Sequence, residues 1–201
     1  MRSPQRFPGR RFRQSPKMIC GTDPIPLRDS LPRDMGGNTS VQGGEILQLR
    51  VAEIRDAESI VSVINAAFKQ AESFLIDRDR IDLETVRALL QTGSFLVADD
   101  LDFVCGCVYV EPRGDRSYLG LLSVDPQRQK SGLGSRLMDA AEDHCVKAGS
   151  RFMDLRIVNV RRELPGFYHH RGYVETGTEP FTPGLDPKLP CHFVKMSKPL
   201  A

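Results

Sequence analysis

The stretch SVDPQRQKSGLGSRLM, residues 123–138, joins the end of an apolar run to a glycine-containing turn and then to an amphipathic segment. Backbone N–H groups at the start of a helix have no intrahelical partner, and the helix dipole places partial positive charge there. Gly132 and Gly134 lack the side-chain atoms that would block a close approach. Three basic side chains lie beside them: Arg128, Lys130 and Arg136. The stretch therefore predicts a turn suited to a phosphate or a pyrophosphate.

Other kinds of glycine-rich turn are weighed against this one. A strand-to-helix turn without any ligand is the simplest alternative. A P-loop is excluded because no Gly-Lys-Ser/Thr closes the turn. A dinucleotide-binding turn would need a small residue where Leu137 stands and would open a strand-helix-strand repeat, so the sequence disfavours it.

Hydrophobic periodicity predicts the elements that precede the turn. We expect a strand at 46–52, a helix at 55–69 with Asp56 as its N-cap, and a second helix over Asp82–Gln91. Three strands should follow and form an antiparallel meander whose middle strand is central: 94–100, 102–112 and 117–126. Cys105 and Cys107 lie two apart, so they should share one face of the middle strand.

A helix over Leu133–Ala148 should follow the turn. Its predicted buried stripe is Leu133, Leu137, Ala141, Cys145 and Ala148, with Asp139, Glu142 and Asp143 outside. The remaining predicted elements are a strand at 152–159, a short helix at 165–170 and strands at 173–181 and 191–198. The order β-α-α-β-β-β-α-β-α-β-β predicts an α/β, or α+β, mixed sheet that is mostly antiparallel. It should have helices on both faces and one parallel crossover over 117–159.

Composition divides the chain into two parts. Residues 1–45 carry eight Lys/Arg and four Asp/Glu and are rich in Pro, Gly and Ser, which predicts a disordered basic extension. Alternatively, residues 1–34 are a targeting segment or are not translated, with Met18 or Met35 as the start. Residues 46–201 carry 20 Lys/Arg and 22 Asp/Glu and form the predicted domain, so its charge does not indicate a nucleic-acid partner.

Several further features limit the classes of protein. No apolar run is long enough for a membrane span, so we expect no membrane partner. The five cysteines lack paired metal-site spacing, so we expect no metal and a cytoplasmic location.

Two motifs resemble the GNAT superfamily of N-acetyltransferases. Gln129, Gly132 and Gly134 match its acetyl-CoA signature Q/R-x-x-G-x-G/A, and Val124 and Pro126 match the V-x-P before it. FYHHRGYVETG, residues 167–177, is similar to the Y-x-x-x-G-F/Y ending of the family's last helix. The two matches fall about 35 residues apart in the expected element order, which covers residues 46–200.

The resemblance implies the roles of the site residues. The turn would hold the CoA pyrophosphate through Gln129, Lys130, Ser131, Gly132, Leu133 and Gly134. The main chain of Leu122, Ser123 and Val124 would pair with the pantetheine arm, and Asn159 would end the next strand beside the cofactor. Tyr168 would protonate the leaving thiolate.

The general base is left open by the sequence. Many relatives have a glutamate on the strand before the signature, but SYLGLLSV, residues 117–124, has none. Glu111, Glu175, His192 and a water molecule are the candidates. The acceptor site should be shaped by 69–81 and 182–190, whose mixed charge favours no class of amine.

The resemblance implies transfer of the acetyl group of acetyl-CoA directly to a primary amine of a small molecule or a peptide. The alternatives are an acyl-CoA-binding sensor module that does not catalyse transfer and a nucleic-acid binder acting through its basic tail. Acetyl-CoA and an amine are the expected partners, and a homodimer is left open.

Overall fold

The described residues form one mixed sheet of seven strands in the order β1-β2-β3-β4-β5-β7-β6. The computed structural model describes residues 47–100, 103–182 and 186–200. The strands are β1 Gln48–Val51, β2 Ser94–Asp100, β3 Phe103–Arg113, β4 Arg116–Val124, β5 Phe152–Val158, β6 Val174–Pro180 and β7 His192–Pro199. Neighbouring strands are antiparallel except β4 and β5, which are parallel. The predicted mixed fold and its parallel crossover are therefore confirmed.

Four α-helices cover the two faces of this sheet: α1 Ala57–Glu72, α2 Leu83–Leu89, α3 Leu133–Lys147 and α4 Leu164–His170. On one face, apolar side chains of α1 and α2 pack with Phe95, Tyr109 and Tyr118. On the other face, α3 and α4 pack with Leu122 and Leu155. The apolar stripes predicted from the helical period thus bury themselves against opposite sides of one sheet.

The strand β3 is buried on both faces over most of its length, although β4 rather than β3 is the middle strand of the order. The prediction that Cys105 and Cys107 share a face is wrong. The register with β2 shifts after Ala98, so that Cys105 is an extra residue on β3. A β-bulge reverses the alternation of side chains, and Cys105 and Cys107 consequently lie in the two opposite cores.

Three details of the helices differ from expectation. Ala148 is exposed because α3 ends at Lys147, and the chain turns away through Gly149 at a φ of 90°. Glu142 is not on the open surface, since it accepts a hydrogen bond from the Tyr173 hydroxyl at 3.1 Å. Asp56 does precede α1, but its carboxylate binds Glu53 N and Arg50 instead of capping that helix.

The segments at the carboxyl end of β5 form a third, small core. Leu75, from the loop after α1, packs there with Val158 of β5 and Phe193 of β7. The loop before β7 is joined to the same place, since Lys188 N donates to Leu75 O at 2.8 Å. This cluster fixes the two predicted acceptor segments against the end of β5.

The described ranges contain no helix that is both long and apolar enough to cross a bilayer. The disordered extension predicted for residues 1–45 lies outside the described residues.

Candidate active site

A gap between β4 and β5 is the main feature of the sheet. The two strands pair only from Arg116 to Tyr118, opposite Phe152 to Asp154. Beyond that point β4 continues to Val124, while β5 continues beside β7 to Val158. Within the described part of the chain, no strand pairs with this side of β4 after Tyr118. The main chain of Leu122, Ser123 and Val124 therefore borders an open edge that an extended ligand could fill as a strand would.

A bulge in β4 lies beside this gap. Cys107 pairs with Ser123 and Tyr109 pairs with Gly120, so that two residues of β4 stand opposite Val108. Leu121 in this bulge has a φ of 53°, a left-handed conformation that costs a side-chain-bearing residue roughly 1–2 kcal/mol. Bulges bend strands and increase their twist, and this one lies where β4 leaves β5. No local sequence signal marks it, because such conformations are usually occupied by glycine or asparagine.

The turn after β4 is held by its own hydrogen bonds. The Asp125 carboxylate accepts from Gln127 N at 2.9 Å, and Asp125 O accepts from Arg128 N at 2.8 Å. The Ser131 hydroxyl donates to Arg128 O at 2.7 Å. Hydrogen bonds within the protein thus define the shape of the turn.

The helix α3 begins immediately after this turn. Gly132 stands before its first residue with a φ of 83°, and the first intrahelical bond runs from Arg136 N to Gly132 O at 3.1 Å. The amides of Leu133, Gly134 and Ser135 precede that bond and have no acceptor within the helix. An open depression of about 670 Å³ lies here, lined by Leu47, Gln127, Arg128, Gln129, Lys130, Ser131, Leu133 and Arg136. Backbone amides, helix dipole and bordering cations together form an anion-binding arrangement.

The three basic side chains of the turn have different environments. Arg128 forms an ion pair with the buried carboxylate of Asp100, at the end of β2, and so ties the turn to the sheet. Lys130 and Arg136 are exposed at the rim of the depression. Lys130 also has a positive φ, of 65°, within the tight turn.

Tyr168 lies on α4 and is fully buried. Its ring makes edge contacts with Phe167 at 5.0 Å and Tyr173 at 5.7 Å between centroids. It belongs to the same large core cluster as Leu122 and Val124 of β4.

Asn159 follows the last residue of β5. Its side-chain oxygen accepts from His192 N at 2.9 Å, and its own N–H donates to His192 O at 3.0 Å. This pair fixes the start of β7 to the end of β5. His192 itself is exposed at that start.

The other two base candidates lie away from the turn. Glu111 is opposite Tyr118, at the end of β4 where β4 and β5 still pair, and it binds Arg113 at 3.1 Å. Glu175 lies exposed on the edge strand β6, where its carboxylate is 3.8 Å from His169 Nε2. The structure does not bring Glu111 or Glu175 to the glycine turn.

A buried carboxylate that the sequence did not single out lies at the end of α1. Glu72 is 3% exposed and accepts a hydrogen bond at 3.3 Å from Arg161 Nη1, which is also buried. Burial raises the pKa of Glu72, and the nearby guanidinium groups of Arg80 and Arg161 partly oppose that effect. The two partners are 89 residues apart, so local patterns could not reveal their contact.

Glu72 lines a depression of about 790 Å³ between α1 and the loop that follows it. Other side chains in its wall include Asn65, Phe68, Lys69, Asp77 and Arg80. Arg80 lies over the Phe68 ring, 4.9 Å from its centroid. This depression coincides with the predicted acceptor segment 69–81.

The described cysteines are free thiols, and none has a lowered pKa that would activate it. Burial raises the pKa of Cys105, Cys107, Cys145 and Cys191. Such thiols are poor nucleophiles at neutral pH. Over the described residues, no group of three or more His, Cys, Asp or Glu side chains is placed to hold a metal ion.

Residues 66–198 match the acetyltransferase (GNAT) domain family. The chain belongs to the GNAT family. Among curated relatives it is 36% identical over 101 residues to probable N-acetyltransferase 14 of Xenopus tropicalis, a match covering 48% of this chain and 49% of that protein. It is 26% identical over 156 residues to the amino-acid acetyltransferase of Azotobacter vinelandii, covering 76% of this chain and 33% of that protein. The matches thus span half or less of each relative's length.

The GNAT fold is also that of yncA from Salmonella typhimurium, whose structure contains its cofactor acetyl-CoA. The two structures superpose with a TM-score of 0.59 over 77% of this chain and 94% of that chain, at 20% identity. At this level of identity the likeness demonstrates a shared fold.

Proposed function

We propose that the protein transfers the acetyl group of acetyl-CoA directly to a primary amine of a small molecule or a peptide. The observation that carries the proposal is the open edge of β4, which leads straight to the anion-binding start of α3. An extended pantetheine arm followed by a pyrophosphate matches this arrangement in order and in chemistry. The family and the names of its relatives support the same class of reaction.

The cofactor would be held mainly by the main chain. The amides from Gln129 to Gly134, which include those of Lys130, Ser131 and Leu133, would bind the pyrophosphate. Leu122, Ser123 and Val124 would pair with the pantetheine arm. Asn159 would stand across the gap at the end of β5. Because the main chain makes these contacts, the identity of the side chains at Leu122 and Ser123 matters little.

In the reaction, the neutral amine nitrogen attacks the thioester carbonyl carbon, and the C–S bond of the tetrahedral adduct then breaks. The amine loses a proton, and the departing thiolate gains one, for which we propose the Tyr168 hydroxyl as donor. Direct transfer is favoured over an acetylated enzyme because Cys105, Cys107 and Cys145 are buried thiols with raised pKa values. The free thiols also fit a cytoplasmic, reducing environment.

Calorimetry with acetyl-CoA tests the cofactor site. Gly132→Glu places a carboxylate among the pyrophosphate-binding amides, and repulsion should raise Kd by about 100-fold or more. Gly114→Glu is the matched control, because Gly114 also has a positive φ, 73° against 83°, and has equally open surroundings. The control lies in the β3–β4 hairpin and should leave Kd unchanged. Equal affinities of the two variants would refute the assignment of the turn.

A thiol-release assay over a panel of primary amines tests the reaction. Release of CoA that depends on the amine is expected. Tight binding of acetyl-CoA with no release across small amines and peptide N-termini would instead favour the acyl-CoA sensor, which the missing strand glutamate already supports.

A further inference from the structure

The proposed transfer lacks an identified proton acceptor. An alkyl ammonium group has a pKa near 10.4, so an amine must lose protons to act as a nucleophile near neutral pH. Glu111 lies opposite Tyr118, where β4 and β5 still pair, and Glu175 lies exposed on the edge strand β6. A different carboxylate fits the requirement better, and the argument for it rests on the proposed function.

Glu72 is placed at the end of the sheet where the gap opens. The loop that follows it contributes Leu75 to the small core with Val158, the last residue of β5. Its partner Arg161 comes three residues after that strand. Since β4 and β5 are parallel, their carboxyl ends lie at the same edge, and Glu72 therefore borders the mouth of the gap from the β5 side.

The helix α1 connects this position to the end of β4. Ser62, Val63 and Ala66 of α1 line a depression of about 500 Å³ together with Asp125, the residue after β4. The same helix then reaches Glu72 at its last turn. The middle of α1 therefore lies beside the residue that follows β4, and its last residue, Glu72, lies beside Arg161, which follows β5.

The Glu72 carboxylate can also accept a further hydrogen bond. Its Oε1 accepts from Arg161, but its Oε2 is buried and has no hydrogen-bond partner among the described residues. A buried carboxylate oxygen without a partner is costly, and a catalytic role is one explanation for such a group. Because the side chain lines the 790 Å³ depression, a rotation of its carboxylate would present this oxygen to an amine held there.

We propose that Glu72 is the general base of the transfer, and that its carboxylate accepts the proton from the acceptor nitrogen in the depression beside α1. The nitrogen lone pair forms the C–N bond, its proton moves to Glu72 Oε2, and the thioester C–S bond breaks. The sulfur leaves with the electron pair and takes the Tyr168 proton. Proton exchange with water afterwards returns Glu72 and Tyr168 to their initial states.

The charged and titratable groups around Glu72 come from three other segments. Arg80 follows α1, and Arg161 and Glu163 precede α4; the titratable but neutral thiol of Cys191 precedes β7. Burial and Glu163 raise the pKa of Glu72, whereas the two arginines lower it, and burial is the larger effect. A carboxylate made more basic by burial suits proton removal near neutral pH.

The decisive comparison is Glu72→Gln with Glu163→Gln. Both side chains bind Arg161, at Nη1 and at Nε, but only Glu72 is buried and lines the depression. We expect Glu72→Gln to lower kcat by roughly 100- to 10,000-fold, with acetyl-CoA affinity by calorimetry within about twofold of wild type. Glu163→Gln should retain kcat within about threefold.

The pH profile separates a base from a merely structural partner. The kcat/KM of the wild type should level off above the pKa of Glu72, whereas that of Glu72→Gln should keep rising with hydroxide concentration. Equal losses in both variants with profiles of unchanged shape would overturn the proposal. So would a Glu72→Gln enzyme with wild-type kcat.

Glu72→Ala with added formate covers the case in which the glutamine variant does not fold. Restored transfer would support a missing carboxylate, and a folded alanine variant that formate does not restore would count against it. If the wild type itself releases no CoA with any amine, the proposed function fails and this inference with it. A working wild type with an unaffected Glu72 variant refutes this inference alone.

Discussion

At the scale of single residues, Tyr168 on α4 and Tyr173 after it allow a proposed catalytic role to be distinguished from a packing role. Tyr168 and Tyr173 are both fully buried, and their rings are in edge contact. The Tyr173 hydroxyl donates to Glu142, and burial beside that carboxylate raises the pKa of Tyr173 far above its usual range. Tyr173 therefore has a structural partner that accounts for its hydroxyl, and it serves as the control for Tyr168.

Tyr168→Phe should lower kcat for a validated amine roughly 10- to 1,000-fold, because general acid catalysis contributes about 10²- to 10⁴-fold. The ring keeps its packing against Phe167 and Tyr173, so the variant should remain folded at the assay temperature. Tyr173→Phe should cost about 1.5–3 kcal/mol of unfolding free energy through its lost hydrogen bond to a carboxylate but keep kcat. Steady-state kinetics and thermal melts check both variants. Turnover of Tyr168→Phe within about twofold of wild type would remove its role as proton donor.

At the scale of elements, the packing of α3 on the sheet depends on a glycine of β3, which has no side chain. A Cβ atom at Gly106 of β3 would lie 3.0 Å from Leu137 Cδ1, on α3, and 3.2 Å from the main-chain oxygen of Ser123, on β4. Both contacts are tighter than ordinary van der Waals packing. The position of the anion-binding helix start therefore depends on how closely β3 lets α3 approach.

Gly106→Ala should destabilise the protein by about 1–3 kcal/mol and weaken acetyl-CoA binding, since α3 and Ser123 must shift to make room. Gly166→Ala is the matched control in α4, because nothing lies within 4 Å of the Cβ that it adds. Alanine is a better helix former than glycine, so the control should be neutral or gain up to about 1 kcal/mol. Urea denaturation and calorimetry measure both effects. Equal free energies of unfolding for the two variants would show that Gly106 does not determine how closely α3 packs on the sheet.

Elements and motifs were predictable because they depend on local spacing. The stripe of Leu133, Leu137 and Ala141 predicted the buried face of α3, and the glycine turn predicted where that helix begins. The bulge at Cys105 was not predictable, because an extra residue in a strand changes register without changing composition. Glu72 was missed because its burial is created by segments far away in sequence, whose meeting only the folded chain reveals.

At the scale of the whole molecule, the sheet separates two large cores. One core joins α1 and α2 to β2, β3 and β4, and the other joins α3 and α4 to β4, β5 and β7. The gap between the diverging strands β4 and β5 opens at their carboxyl ends. The proposed cofactor segment and the predicted acceptor segments all belong to the domain predicted for residues 46–201.

A chain shortened to residues 46–201 should therefore bind acetyl-CoA with a Kd within about twofold of the full chain and unfold at the same urea concentration. Residues 1–45 hold eight basic and four acidic side chains, so their removal should change only weak, salt-dependent association with polyanions. Calorimetry, urea titration and binding to a short DNA duplex at two salt concentrations measure these three properties. A shortened chain that loses acetyl-CoA affinity or stability would place part of residues 1–45 in the folded unit. Tight, salt-dependent DNA binding by the full chain alone would instead give the tail a function of its own, separate from the transfer that the sheet supports.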